Sequence, residues 1–269
     1  MSIDHYENFP VASLLLPKRL REPVRALYAF ARSADDIADE GALADAERLA
    51  RLDRYRVELD ALEAGRPPQT PLFARLQPVI SGHGLPLQPF RDLLDAFSQD
   101  VVKKRYADFA ELMDYCRRSA DPVGRLLLRL FGADSPQNRE LSDRICSGLQ
   151  LANHWQDIAL DWDKGRVYLP QDELARFGIG EAQIAAGRWD AAWAALMDFQ
   201  VERARGLLVA GRPLARVLPG RIGLELRLIV AGGLRILDKL QRVRGDVFRR
   251  RPLIGKGDWP RILLGAARA

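Results

Sequence analysis

Apolar residues recur at steps of three and four along almost the whole chain. After Pro17, the positions Leu20, Val24, Leu27, Tyr28, Ala31 and Ala34 form one apolar stripe of an amphipathic helix. Pro23 falls early enough to be tolerated near a helix start, and Gly41 supplies a stop. A second helix is predicted over 45–62, ending at the breaker Gly65-Arg66-Pro67-Pro68. Further helices are predicted over 71–81, 89–103, 109–131 and 135–163. A short piece near 172–177 follows the Gly165 to Pro170 turn, and two long helices are predicted over 189–210 and 221–244. No run alternates with period two, and Thr70 is the only threonine, so a sheet is not expected. The breakers are short and no linker stands out. The expectation is one all-α domain over residues 1–269, its helices wrapped around a central cavity.

Composition narrows the class without changing this picture. Of 269 residues, 48% are hydrophobic and 29% charged, which is ordinary for a globular chain and far from a disordered one. Two cysteines, Cys116 and Cys146, exclude a disulfide scaffold and favour a reduced, cytoplasmic setting. No apolar run approaches the roughly 18 residues of a membrane span, and Asp4, Glu7 and Pro10 do not make a secretory signal. The net charge of +5 is modest. Its densest part (Arg242, Arg244, Arg249, Arg250, Arg251) reads first as a solvated helix face, so nucleic acid is not an expected partner.

The informative residues are acids at the ends of two helices. Asp35, Asp36, Asp39 and Glu40 crowd into six positions, and Asn153, Asp157, Asp161 and Asp163 follow one another along a later helix. At about 100° per residue, Tyr28, Arg32, Asp35 and Asp39 share one stripe at the border of the apolar face, as do Asn153, Asp157 and Asp161 beside Cys146, Leu149 and Leu160. Like charges four residues apart cost roughly 0.2–0.5 kcal/mol per pair, and a helix C-terminus disfavours acids further. A single such pair is usually a solvated face. Two of them beside apolar stripes call for a cation, and hard oxygen donors without a Cys or His set suit Mg2+ bound to a phosphate ester. Arg32, Lys164 and Arg166 either pair with these acids or hold phosphate oxygens. Ionising a diphosphate would leave a carbocation, which needs a dry apolar and aromatic pocket. Tyr28, Phe30, Phe97, Tyr115 and Phe131 are candidates to line it.

At these residues the chain resembles the squalene/phytoene synthase family, the head-to-head trans-isoprenyl transferases. The likeness covers nearly the whole sequence. It rests on Arg32-Ser33-Ala34-Asp35-Asp36-Ile37-Ala38-Asp39, on Leu151 to Asp157 with Asp161, and on Gly165-Arg166-Val167-Tyr168-Leu169-Pro170. Tyr115-Cys116 to Val123-Gly124, Asp100 with Arg105-Tyr106, and the tail Val247 to Pro252 with Asp258-Trp259 are similar too. The resemblance implies the isoprenoid-synthase type of helical bundle. It also implies Mg2+ held by Asp35, Asp39, Asn153 and Asp157 with Asp161 in support, and a role in catalysis for Tyr115. Diphosphate and substrate contacts would come from Tyr28, Arg32, Gln156, Lys164, Arg166 and Tyr168.

Two departures narrow the choice. Members that join two farnesyl diphosphates usually carry Ser-Lys/Arg-Ser-Phe near the N-terminus and Leu-Arg before the second-motif Asp. This chain has Tyr6-Glu7-Asn8-Phe9-Pro10 and Trp155-Gln156, so Glu7 and Gln156 replace two phosphate-binding cations. An enzyme consuming a single diphosphate could dispense with them. Residues 5–13 and 153–157 look like the bacterial hopanoid-pathway branch, a carbon–oxygen lyase activity. There presqualene diphosphate is ionised, rearranges, and is captured by water to give hydroxysqualene and free diphosphate. A presqualene diphosphate synthase would supply the substrate and a hydroxysqualene-reducing enzyme would consume the product, with Gln156 or His154 as candidates to position the water. Peripheral contact with the inner face of the membrane, through the basic C-terminal segment, is a further expectation. The alternatives are condensation of two prenyl diphosphates to presqualene diphosphate, squalene or phytoene, and a non-catalytic helical module used in assembly.

Overall fold

The computed structural model describes residues 15–267, and the Tyr6 to Pro10 and Val11 to Ser13 segments lie outside them. The helical periodicity is realised as thirteen α-helices among the described residues. The first four are α1 (Lys18–Asp39), α2 (Asp45–Glu63), α3 (Pro71–His83) and α4 (Gln88–Val102). They are followed by α5 (Phe109–Ser119), α6 (Asp121–Leu130) and the long α7 (Pro136–Asp163). Two short helices, α8 (Gln171–Arg176) and α9 (Glu181–Ala185), lead to α10 (Ala191–Gly211), α11 (Leu214–Val217), α12 (Gly220–Arg242) and α13 (Trp259–Ala267). The described residues contain no strand, only an isolated bridge between Arg105 and Val167.

Local chemistry sets the boundaries. The side chains of Thr70, Asp108, Ser135 and Asp190 cap α3, α5, α7 and α10 by accepting from backbone N–H groups in the first turn. The single helix expected over 109–131 is two. The chain turns at Ala120, because Pro122 has no N–H to give the Arg118 carbonyl and its ring would clash there, and Pro122 then serves as an early residue of α6. The pieces α9, α11 and α13 were not expected: the first two span one turn or little more, and α13 follows a proline-broken tail.

One continuous core runs from Leu16 to Val247, with its largest fully buried rings at Trp155, Trp193, Tyr106, Phe30, Phe73 and Phe90. α1 packs on α2, α3 and α4, whereas α7 packs on α10, α6 and α12. Close approach of α7 depends on two glycines. A Cβ on Gly211 of α10 would sit 2.4 Å from Ile145 Cγ1 and 2.8 Å from the Leu141 carbonyl oxygen, and one on Gly233 of α12 would sit 2.6 Å from Leu149 Cδ2. α1 and α7 therefore belong to different halves of the core, and both end at the same side of the molecule, where Asp39 meets the turn that follows Asp163.

Candidate active site

Helix C-termini expose carbonyls and a negative dipole, so the acidic ends of α1 and α7 need cationic or N–H partners. At α1 these come from the next helix. Arg48, 8% exposed, donates from Nη1 to the carbonyls of Ile37 (2.8 Å) and Glu40 (3.0 Å), from Nη2 to Gly41 (2.6 Å), and from Nε to Leu43 (3.2 Å). At α7 the chain caps itself. Arg166 N donates to the Asp161 carbonyl at 2.8 Å while Gly165 turns through φ +75°, a conformation that favours glycine. The 164–170 turn is then pinned to the chain after α4: Val167 N donates to Lys104 O (3.0 Å), Arg105 Nη1 to Gly165 O (2.6 Å), and Gln171 N to Tyr106 O (2.9 Å).

This scaffold brings the two acidic motifs together. Asp39 of α1 accepts from Lys164 Nζ at 3.0 Å and from the buried Arg166 guanidinium, so both cations of the second turn reach the first motif. Burial alone would raise the Asp39 carboxyl, but the hydrogen bonds and charges of Arg166 and then Lys164 outweigh it and hold the group below the usual carboxylate range. Arg32 pairs with Asp35 (3.1 Å), Asp36 (2.7 Å) and Glu40 (2.7 Å) on its own helix. On α7, Asp157 is held by Arg251 Nε at 2.5 Å, and Asn153 is exposed one turn earlier.

The other two carboxylates are short of positive charge. Burial, then the neighbouring Asp39, pushes Asp35 up to about 7 even with Arg32 beside it. Burial, then Asp157, pushes Asp161 up to about 8, and Asp161 Oδ2 is buried with no hydrogen-bond partner. An orphaned buried carboxylate oxygen is a costly feature that a bound cation would relieve. Among the described residues no three Asp, Glu, His or Cys side chains converge as a ready-made metal cage. Separate carboxylate pairs of this kind suit ions that keep waters and are completed by substrate oxygens.

Below the acids lies a cavity of about 460 Å³. Its walls include Tyr28 and Ala31 of α1, Leu149 of α7, Leu126, Leu127 and Phe131, and Ile222, Glu225, Leu226 and Ile229 of α12. Tyr28 and Leu149 stand seven and eight residues before Asp35 and Asp157, about 10–12 Å along each helix at a rise of about 1.5 Å per residue. The acids therefore stand about two helical turns beyond these wall residues, past one end of the apolar hollow. Of the rings expected to line it, Tyr28, Phe30 and Phe131 do so. Phe97 and Tyr115 do not: both are buried in the core behind it.

Tyr115 belongs instead to a network around Asp100. Its hydroxyl donates to Asp100 Oδ2 at 2.7 Å, the Tyr168 hydroxyl donates to Oδ1 at 3.1 Å, and Arg166 Nη1 donates to the Tyr168 oxygen at 3.3 Å. Burial raises Asp100 to about 6, partly offset by the Tyr115 hydrogen bond and the Arg166 charge. The Tyr168 ring stacks on His154 with centroids 3.7 Å apart, and burial followed by the Arg166 charge depresses His154 to about 3, so that imidazole is neutral. Tyr115 thus orients Tyr168 and Arg166 through Asp100 rather than facing a ligand. Gln156 is 2% exposed, and its amide donates to the Pro252 carbonyl of the C-terminal segment.

The basic run near the C-terminus is not one solvated helix face. α12 stops at Arg242, and Arg251 folds back onto Asp157 while Arg249 stays in solvent. Leu160, expected on the apolar stripe of α7, is 48% exposed. Arg48, Arg251 and Glu225 were missed as site residues, although Glu225 had a legible signal: a lone acid on the stripe Ile222, Leu226, Ile229.

A squalene/phytoene synthase family model matches residues 4–258. Hydroxysqualene synthase of Rhodopseudomonas palustris is 39% identical over 87% of this chain and 80% of its own length. Hydroxysqualene synthase of Sinorhizobium fredii is 35% identical with the same coverage. Among solved structures, squalene synthase HpnC from Alicyclobacillus acidocaldarius superposes with a TM-score of 0.83 at 41% identity, covering 89% of this chain and 90% of that one.

Proposed function

The chain belongs to the squalene/phytoene synthase family, whose members process isoprenyl diphosphates, and from that premise we propose that it is a hydroxysqualene synthase. It ionises presqualene diphosphate, rearranges the cation, and lets water capture it to give hydroxysqualene and free diphosphate. The observation that carries this reading is the pair of carboxylates Asp35 and Asp161, both raised well above the usual carboxylate range, Asp161 with a buried oxygen that has no hydrogen-bond partner, beyond one end of an apolar cavity. The names of the two bacterial relatives support the product.

Asp35, Asp39, Asn153, Asp157 and Asp161 would hold Mg2+, and the hard oxygen donor set and the orphaned Asp161 Oδ2 fit it. Bound there, the metal supplies Lewis-acid neutralisation of the departing diphosphate. The chain does the rest. Arg32, Lys164 and Arg166 present N–H donors to diphosphate oxygens, and the Asp100–Tyr115–Tyr168 network fixes Arg166. Tyr28, Phe30 and Phe131 offer π-faces to the carbocation, and the aliphatic walls keep bulk water out. Neutral His154, stacked on Tyr168, supports that ring and carries no charge of its own.

Peripheral membrane contact belongs to the same proposal, with an anionic lipid surface as the partner. No described helix is long and apolar enough to cross a membrane. However, α13 turns Trp259, Leu263 and Leu264 outward at 38%, 56% and 52% exposure, and Arg249, Arg250, Lys256 and Arg261 lie exposed around it. The acid of that segment, Asp258, is buried and paired with Arg235 and Lys239. An apolar helix face ringed by cations suits an anionic bilayer interface. A presqualene diphosphate synthase upstream and a hydroxysqualene-reducing enzyme downstream complete the sequence.

The test is product analysis with purified protein, Mg2+ and presqualene diphosphate in 18O-water. Label in an alcohol, loss of turnover with chelator, and loss of turnover in Asp35→Asn and Asp157→Asn are expected. One solved relative is named squalene synthase, so farnesyl diphosphate is assayed in parallel. Turnover of farnesyl diphosphate alone would overturn the proposal.

A further inference from the structure

The captured water needs a place in the cavity and a group to take its proton. A water in an apolar hollow is ordered only where two or more polar partners reach it. Among the described residues, the side chains around this cavity are aliphatic or phenyl with two exceptions, Tyr28 on α1 and Glu225 on α12. Glu225 occupies the inward stripe of α12, among Ile222, Leu226 and Ile229, and its Oε2 is buried. It is the one carboxylate among the described residues around the cavity, and the rest of the stripe is apolar. The residues expected to position the water, His154 and Gln156, meet Tyr168 and the Pro252 carbonyl, and neither lines the cavity.

The geometry points to Glu225 as the catalytic base that holds the capturing water, with the Tyr28 hydroxyl as the second partner. This rests on the hydroxysqualene synthase reading and adds the group that decides its product. The water oxygen donates a lone pair to the carbocation and forms the C–O bond. One water proton passes to the Glu225 carboxylate, which later returns it to solvent. Facing the cation, the same negative charge favours the charged intermediate before capture. Without a held water, the cation loses a neighbouring C–H proton to the departed diphosphate, giving a hydrocarbon with one more double bond instead of an alcohol.

The experiment follows two quantities separately with presqualene diphosphate and Mg2+: released diphosphate, and the ratio of 18O-labelled alcohol to hydrocarbon. General-base assistance is worth about 10²–10⁴ in rate, so Glu225→Gln should release diphosphate yet lower the alcohol-to-hydrocarbon ratio at least about tenfold. Glu225→Asp, which retains a carboxylate one methylene shorter, should recover much of that ratio. Tyr28→Phe should move it in the same direction as Glu225→Gln by less. An unchanged ratio in Glu225→Gln overturns the assignment, and so does a loss of diphosphate release with the ratio intact, which would make Glu225 structural. Failure of the wild-type protein to release diphosphate from presqualene diphosphate would instead sink the underlying reading.

Discussion

Arg166→Gln cuts the link between the two halves of the site. The guanidinium is 8% exposed, bonds Asp39 of α1, and donates to Tyr168, which in turn holds Asp100. Removing one partner of a buried ion pair costs about 3–5 kcal/mol, because the other charge stays buried. Lys164 remains on Asp39 at 3.0 Å, so the lower end applies, about 3 kcal/mol. At roughly 2–4 °C per kcal/mol for a chain of this size, the melting temperature should fall by about 6–12 °C. Thermal melting followed by circular dichroism at neutral pH, in the presence of chelator, measures it. Adding Mg2+ then discriminates further. Arg166 competes with a metal for Asp39, so the variant should gain more from Mg2+ than the wild type does, as ligand linkage requires when a competitor is removed. A fall of less than about 2 °C in chelator would refute the energetic account of this link. A smaller Mg2+ gain in the variant would refute Asp39 as a metal ligand.

Three further outcomes are expected. Gly211→Ala should lower stability by about 1–3 kcal/mol in urea titration, because its Cβ meets Ile145 and the Leu141 backbone of α7, and a neutral result would show that α10 and α7 can separate freely. Asp121 is 5% exposed, and burial followed by the Asp143 charge raises it from 3.8 to about 7. The folded protein then holds a proton that the unfolded chain releases, so this group makes stability fall as pH rises from about 4 to about 7. The stability of Asp121→Asn relative to wild type should climb across that window by at most about 4 kcal/mol, and a constant difference would refute it. Leu263→Ser/Leu264→Ser should lose binding to phosphatidylglycerol-containing vesicles by tenfold or more, from about 1.5–3 kcal/mol per buried leucine. Retained sedimentation with those vesicles would remove α13 as the lipid-facing element.

The long helices were legible because each has a strong three–four repeat and a glycine or proline stop, as at Gly41, Gly65 and Gly165. The break at Ala120 was not, since Leu112, Tyr115, Leu126 and Leu128 are buried on both sides of it and keep the apolar pattern running through the turn. The acids could be read for a different reason. Asp35, Asp39, Asp157 and Asp161 break the electrostatic rules of helix ends, and a broken local rule marks a functional place. Arg32, Lys164 and Arg166 could be read as candidate partners because they adjoin the motifs, but Arg251 could not, since it reaches Asp157 across 94 residues of chain, nor could Arg48, which bonds the Ile37 carbonyl at the end of α1. Periodicity carries no information about which arginine turns inward. Tyr115 shows the complementary error: its ring type suits a cation pocket, and only the 2.7 Å bond to Asp100 reveals that it acts one step behind.

The pairing now seen implies how the site changes hands. Asp35 leans on Arg32, Asp39 on Lys164 and Arg166, and Asp157 on Arg251, while Asp161 has no hydrogen bond at Oδ2. Divalent ions on these carboxylates would release the same four cations, and a diphosphate arriving with the ions brings the negative oxygens those cations then need. The site therefore exchanges partners rather than accumulating charge. That exchange explains why acids at two helix C-termini are tolerated before substrate binds: Asp35, Asp39 and Asp157 are each held by a side chain whose second partner is the ligand. It also sets an order of sensitivity. Arg251→Gln removes a more exposed cation than Arg166 (21% against 9%) and leaves the Arg166 network whole, so it should weaken diphosphate inhibition more than it lowers the melting temperature, whereas Arg166→Gln should do both. Equal thermal losses in the two variants, with diphosphate inhibition unchanged, would mean that these arginines are structural ties and that the exchange does not occur.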